Sequence, residues 1–151
     1  MIIEVAGEME MKLTGAKLGR LLKGGECIEL VGDVGAGKTT LVKGVAQGLE
    51  IDETVQSPSF TISRVYDTPR ELRLAHYDFY RLHDAGIMAD ELREAAADAQ
   101  TITIIEWADI VSGVLPDDHL TITIQATGES DRKLTLEGHG PLSRNLLEQL
   151  A

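Results

Sequence analysis

Lys38 and Thr39 close a glycine-rich run, Gly32-Asp33-Val34-Gly35-Ala36-Gly37-Lys38-Thr39-Thr40, whose spacing fits a phosphate-binding loop at every fixed position. Glycines 32, 35 and 37 let the backbone turn and approach an anion without a Cβ in the way. The N–H groups of Gly35, Ala36, Gly37, Lys38, Thr39 and Thr40 can then converge on phosphate oxygens. A helix starting near Lys38 would add its positive end. Lys38 has the reach to meet β- and γ-phosphates as a point charge, and Thr39 can set its hydroxyl on Mg²⁺. The flanks suit this chemistry: an apolar run at 27–31 precedes the loop and a helical pattern at 41–49 follows it.

Two carboxylates recur at strand ends. Asp78 follows the run at 72–77, and Glu106 ends Thr101-Ile102-Thr103-Ile104-Ile105, which is apolar enough to be a central parallel strand. Strand ends on the sheet that carries a phosphate loop lie at the ligand-bearing rim. Asp78 could there order a metal-bound or attacking water, or simply cap the next turn. Glu106 could hold Mg²⁺ directly or through water, opposite Thr39, or be an ordinary strand-end acid. Ser57-Pro58-Ser59-Phe60 sits where switch loops facing a γ-phosphate often lie, and also reads as a surface turn entering a strand. His76 reads as a packed or partly exposed strand residue rather than a metal ligand, and His83 is too isolated to complete a metal site.

The bulk numbers bound the alternatives. A chain of 151 residues suits one domain spanning 1–151. Hydrophobic content of 43% is that of an ordinary globule, and no apolar run approaches the roughly 18 residues needed to cross a bilayer. The first residues carry neither a basic region nor a signal-like apolar stretch, and the single cysteine, Cys27, falls in a predicted buried strand. A cytoplasmic protein with no membrane partner is expected. The net charge of −11 disfavours extensive direct binding of nucleic acid.

The remaining elements must position these groups. Residues 2–5 read as an edge strand and 13–22 as a helix ended by Gly24-Gly25, with Thr14 either a cap or a contact to base or ribose. Gly44 and Gly48 suggest close packing of the loop helix against the sheet. Residues 61–66 and 72–77 make a hairpin across the turn at 67–70. A helix over 89–100 shows an acidic face, solvated or turned to a basic partner. Residues 119–126 and 132–137 alternate as an antiparallel hairpin added to the sheet edge, and 142–150 read as a final amphipathic helix. Arg132, near the hairpin tip, is either solvated or close to nucleotide. Trp107, the only tryptophan, either packs beneath the site or stands exposed for a partner. The fold class is α/β: a P-loop NTPase-like three-layer sandwich with a largely parallel central sheet and an antiparallel edge hairpin.

The phosphate loop, Ser-Pro-Ser-Phe at 57–60, His-Tyr-Asp-Phe-Tyr-Arg-Leu at 76–82 and Ile-Ile-Glu-Trp at 104–107, in this order and over nearly the whole chain, closely resemble the TsaE (formerly YjeE) family. The resemblance implies an ATPase of tRNA threonylcarbamoyladenosine biosynthesis. Such proteins bind ATP and Mg²⁺, hydrolyse ATP slowly alone, and act with TsaD and TsaB on adenosine 37 of tRNAs that read codons beginning with A. Carried over, Lys38 and its loop would hold the phosphates, Thr39 and Glu106 would serve Mg²⁺, Asp78 would be the hydrolytic or switch carboxylate, and 57–60 the switch segment. Transfer RNA would be engaged indirectly, through the partners. The chain departs from the family pattern at Ser59, Ala108, Leu92 and Gly15, where Thr, Pro, Gly and Thr are usual. Two other classes compete. A nucleotide-gated binding module would need occupancy and no turnover. A small-molecule kinase would need a lid, and the candidate segment at 89–100 holds a single arginine.

Overall fold

A computed structural model describes residues 1–58, 62–82, 86 and 88–151, Ser112 without its side chain. Strand β1 (Ile2–Ala6) leads into α1 (Glu8–Leu21), β2 (Cys27–Val31) and α2 (Lys38–Gly48). Then come β3 (Ser63–Asp67), β4 (Arg73–Asp78), α3 (Met88–Ala97) and β5 (Thr101–Glu106). A 3₁₀ stretch, Ala108–Val114, precedes β6 (Leu120–Ala126), β7 (Asp131–Gly138) and α4 (Pro141–Leu150).

The strands form one mixed sheet in the order β1-β7-β6-β2-β5-β4-β3. Its centre, β6-β2-β5-β4, is parallel, because each of those connections carries helix or turn across a face. The β3–β4 and β6–β7 pairs are antiparallel hairpins. The second hairpin does not itself end the sheet: β1 returns to pair with β7 and takes the edge. All six residues of β5 are buried, which is why its sequence runs apolar without alternation.

Helices cover the two faces unequally. Leucines and isoleucines of β2, β4, β5, β6 and β7 face α1, α2 and α4 in the larger core. Cys27, Ala75, Tyr77 and Ile105 face α3 and the 3₁₀ stretch on the other side. Burial pushes the Cys27 thiol up to about 12, with Glu29 adding to it, so it is an inert packing group.

Three boundaries differ from expectation for local reasons. Helix α1 starts at Glu8 rather than 13, because Glu10 Oε2 accepts the Ala6 N–H at 2.8 Å and Met11 is already in the core. Thr14 is therefore inside the helix, and its hydroxyl donates to the Glu10 carbonyl at 2.9 Å instead of capping. Helix α3 stops at Ala97, where Asp98 accepts the Gln100 N–H and the Thr101 hydroxyl and turns the chain into β5. The expected strand at 61–66 is described from Ser63, and Thr61 lies outside the described residues.

Gly44 and Gly48 require a correction. They pack against α1, not the sheet. A Cβ on Gly44 would run into the Lys12 carbonyl, one on Gly48 into that of Ala16, and one on Gly15 would stand 2.5 Å from the Leu41 carbonyl. The buried aliphatic side chains of α2, Leu41, Val42, Val45 and Ala46, join the larger core, and the glycine stripe is left for the neighbouring helix. Close approach of α1 seats the helix that carries the phosphate loop at its N-terminus. Among the described residues no helix is long and apolar enough to cross a membrane.

Candidate functional site

The loop between β2 and α2 takes its shape from glycines where it needs them. Gly35 (φ 82°) and Gly37 (φ 108°) lie in the left-handed region, which costs a side-chain-bearing residue roughly 1–2 kcal/mol. Gly32 is needed for proximity, since its Cβ would stand 2.9 Å from the Ile124 carbonyl of β6. Among the described residues no side chain caps α2, so its first N–H groups remain available to an anion. Arg132 fastens the loop from outside. Its Nε donates to the Ala36 carbonyl at 3.0 Å, while its guanidinium also donates to carbonyls of Gly128, Glu129 and Asp131 in the β6–β7 turn. Neither expected reading of Arg132, solvated or close to nucleotide, included this strap between hairpin and loop.

Lys38 opens α2 and is only 7% exposed. Its ammonium donates to the Gly32 carbonyl at 2.6 Å and the Asp33 carbonyl at 3.1 Å. It also stands 4.4 Å from the centre of the Trp107 ring, within cation–π range. Burial lowers its pKa from the ordinary lysine value, and the negative charges of Glu106, Asp78 and Asp33 act against that. Trp107 reaches it by a backbone in the left-handed region (φ 58°, ψ 53°), unusual for a bulky residue. The indole is partly buried and leans on Tyr80, ring centres 4.8 Å apart, while Tyr80 is 54% exposed at the rim.

Asp78 and Glu106 end adjacent parallel strands and pair in register, so both point to the same face at the same level as Leu30 of β2. One oxygen of Asp78 accepts the Tyr80 N–H at 3.0 Å, and the other accepts the Ser57 hydroxyl at 3.3 Å. The aspartate thus both turns the chain and faces the cavity, where two readings stood apart. Ser57 brings the segment before β3 to this point; Ser59 and Phe60 of that segment, and His83, lie outside the described residues.

Glu106 has a partner that sequence reasoning missed. His76 Nε2 lies 2.6 Å from Glu106 Oε2, both side chains being almost entirely buried. The available signal was position: His76 precedes Asp78 by two residues in a strand, hence shares its face.

A cavity of about 450 Å³ collects these groups, lined by Gly35, Gly37, Lys38, Thr39 and Thr40 on one side and Ser57, Asp78, Arg81, Glu106 and Trp107 on the other. A second, of about 220 Å³, touches Gly35, Ala36, Gly37 and Thr40 from outside and reaches Gly7, Met11 and Arg132. Thr14 is not among its lining residues. The donors fit a magnesium–triphosphate group. Free helix N–H groups and a desolvated ammonium suit phosphate oxygens. One hydroxyl and one or two carboxylates are the hard, sparse set that Mg²⁺ accepts when phosphate and water complete its shell.

Fold and site define the class: a phosphate-loop α/β protein with acids at two neighbouring strand ends. The sequence model described as "Threonylcarbamoyl adenosine biosynthesis protein TsaE" matches residues 5–134. Curated relatives that bear the name tRNA threonylcarbamoyladenosine biosynthesis protein TsaE include two bacterial proteins. The one from Bacillus subtilis is 38% identical over 144 residues, covering 93% of this chain and 84% of the relative. The one from Treponema pallidum is 36% identical over 122 residues, covering 81% and 89%. The crystal structure of YdiB from Bacillus subtilis is similar with a TM-score of 0.83 at 32% identity, over 99% of this chain and 93% of that one. The chain belongs to the TsaE family, whose members serve tRNA threonylcarbamoyladenosine biosynthesis.

Proposed function

We propose that residues 1–151 act as one cytoplasmic ATPase domain, dependent on Mg²⁺, whose turnover serves N6-threonylcarbamoylation of adenosine 37 in tRNA through a complex of TsaD and TsaB homologues. The observation that carries this reading is the in-register pair Asp78 and Glu106, sharing one cavity with Lys38 and Thr39. The N–H groups of Gly35 and of Gly37 to Thr40 cradle the phosphates, while that of Ala36, which donates to the Asp33 carbonyl at 3.0 Å, would have to leave it to join them. Lys38 leaves the Gly32 and Asp33 carbonyls for the β- and γ-phosphate oxygens, exchanging neutral acceptors for charged ones. The smaller cavity beside Thr40, with Met11 as its apolar wall, suits the nucleoside.

Asp78, held by the Tyr80 N–H and the Ser57 hydroxyl, orients the attacking water and accepts its proton. The water oxygen bonds to the γ-phosphorus as the β–γ bridge breaks and ADP departs. Thr39 and Glu106 would hold Mg²⁺, which would neutralise charge on the phosphate oxygens. Trp107 and Tyr80 shield Lys38 from water at the rim. The anionic surface is consistent with partners, rather than this chain, gripping the tRNA.

ATP hydrolysis measured with and without the TsaB–TsaD pair tests this. Turnover that rises with the pair, and falls by roughly 10²–10⁴ in Asp78→Ala while ATP still binds, is the expected result. If Asp78→Ala supports many rounds of tRNA modification, the nucleotide-gated module is the correct reading instead. Phosphate passed to a metabolite, with no response to the pair, would overturn both.

A further inference from the structure

We infer that His76 is a positioning residue, setting the Glu106 carboxylate in the orientation from which it meets a divalent cation. The inference rests on the nucleotide-site reading above and extends it to a residue one pleat below the strand ends.

His76 lies opposite Ile104 in the β4–β5 register, and Asp78 lies opposite Glu106. The imidazole therefore sits on the same sheet face as both acids, diagonal to Glu106. Its Nε2 is 2.6 Å from Glu106 Oε2, a direct hydrogen bond between the two side chains. Nδ1 is buried and, among the described residues, has no hydrogen-bond partner. Among those residues the ring's one polar tie is thus Glu106.

Packing does not call for an imidazole here. The neighbouring face positions are Leu74, Ile102 and Ile104, with the exposed Arg64 opposite on β3, and an aliphatic residue would fill the buried space without a stranded nitrogen. What an aliphatic side chain would not do is hold one oxygen of Glu106. With Oε2 anchored from below, the rotation of the carboxylate is fixed, and its other oxygen is left to the cavity that Glu106 lines. Hydrogen bonds of this kind orient ligating carboxylates, and losing one typically costs 10–100-fold in metal affinity.

The test separates metal from nucleotide. Mn²⁺ binding is followed by electron paramagnetic resonance with a non-hydrolysable ATP analogue. ADP binding in EDTA is followed by the fluorescence of Trp107. In His76→Leu the Mn²⁺ dissociation constant should rise about 10–100-fold while metal-free ADP affinity stays within about twofold. His76→Gln, whose amide N–H reaches the place of Nε2, should restore most of the Mn²⁺ affinity. If the leucine variant does not fold, His76→Asn, whose amide stops short of Glu106, takes its place with the same expectation. Mn²⁺ affinity unchanged from wild type, or Mn²⁺ and ADP affinities falling together, would overturn the inference. A wild-type protein that binds ADP but takes up no Mn²⁺ with the analogue would overturn it too, leaving the phosphate loop's role standing. One that binds neither would overturn the nucleotide-site reading as well.

Discussion

Helices α2 and α4 begin with the same problem and solve it in opposite ways. Each has a glycine at its N-cap position, Gly37 and Gly140, and neither glycine supplies a capping side chain. At α4 the N–H groups are satisfied from within. Asp118, from the segment before β6, accepts Leu142 N–H at 2.7 Å and Ser143 N–H at 3.0 Å, and Pro141 removes another donor. At α2 no such acid arrives among the described residues, and the N–H groups open onto the two cavities that flank the loop. Identical backbone chemistry is thus spent on stability in one helix and left for an external anion in the other. The acids that line the larger cavity, Asp78 and Glu106, are held by Tyr80, Ser57 and His76.

The contrast can be broken most strongly at Lys38. Lys38→Ala should lower ATP hydrolysis by roughly 10²–10³, the usual cost of removing one charge-stabilising donor from a reacting centre. ATP at about 100 times its Kd should stabilise the wild-type protein by about 2.7 kcal/mol against unfolding. That shift should vanish in Lys38→Ala and persist in Asp118→Ala, as thermal melts with and without ATP would show.

A smaller effect is expected from displacing the body of α2. Gly44→Ala forces a methyl against the Lys12 carbonyl of α1, and should destabilise the fold by about 1–3 kcal/mol in urea titrations. Because α1 seats α2, ATP affinity should weaken in the same variant.

The smallest effect belongs to α4. Asp118→Ala should cost about 1 kcal/mol, the typical loss for a missing cap. Burial alone would raise the Asp118 pKa, but the hydrogen bonds from Ser143 and Leu142 outweigh it and hold the group below the usual aspartate value. A group depressed on folding contributes stability above its unfolded value of about 3.9 and loses it as pH falls through the folded value. The stability gap between wild type and Asp118→Ala should therefore be level near neutrality and close in acid below about pH 4, in denaturation curves measured across pH.

Much of this molecule was legible along the chain because much of it is local. The glycine spacing at 32–37 specifies backbone conformation residue by residue, and the observed left-handed φ at Gly35 and Gly37 follows from it. The apolar run ending at Glu106 announced a doubly covered strand, and β5 is buried at every position. Less legible were features that depend on which surfaces meet. Gly44 and Gly48 signalled a close approach without saying to what, and the partner was α1. Arg132 read as either solvated or close to nucleotide, and its tie to the loop stayed hidden because its acceptor, the Ala36 carbonyl, is 96 positions away. Thr14 and the start of α1 were misjudged because Glu8, Met9 and Glu10 break the apolar period while still forming helical turns.

Residue order alone thus determined the phosphate loop, the two acid-tipped strands and the alternation of layers, since these arise from torsional preference and side-chain period within a few residues. Tertiary structure decided what no short window contains: that β4 and β5 lie side by side in the register that sets Asp78 beside Glu106 and puts His76 under it, and that Asp118 reaches α4 while α2 is left open. A shift of one residue in that register would turn every one of those side chains to the other face, so the site exists only once the strands have paired.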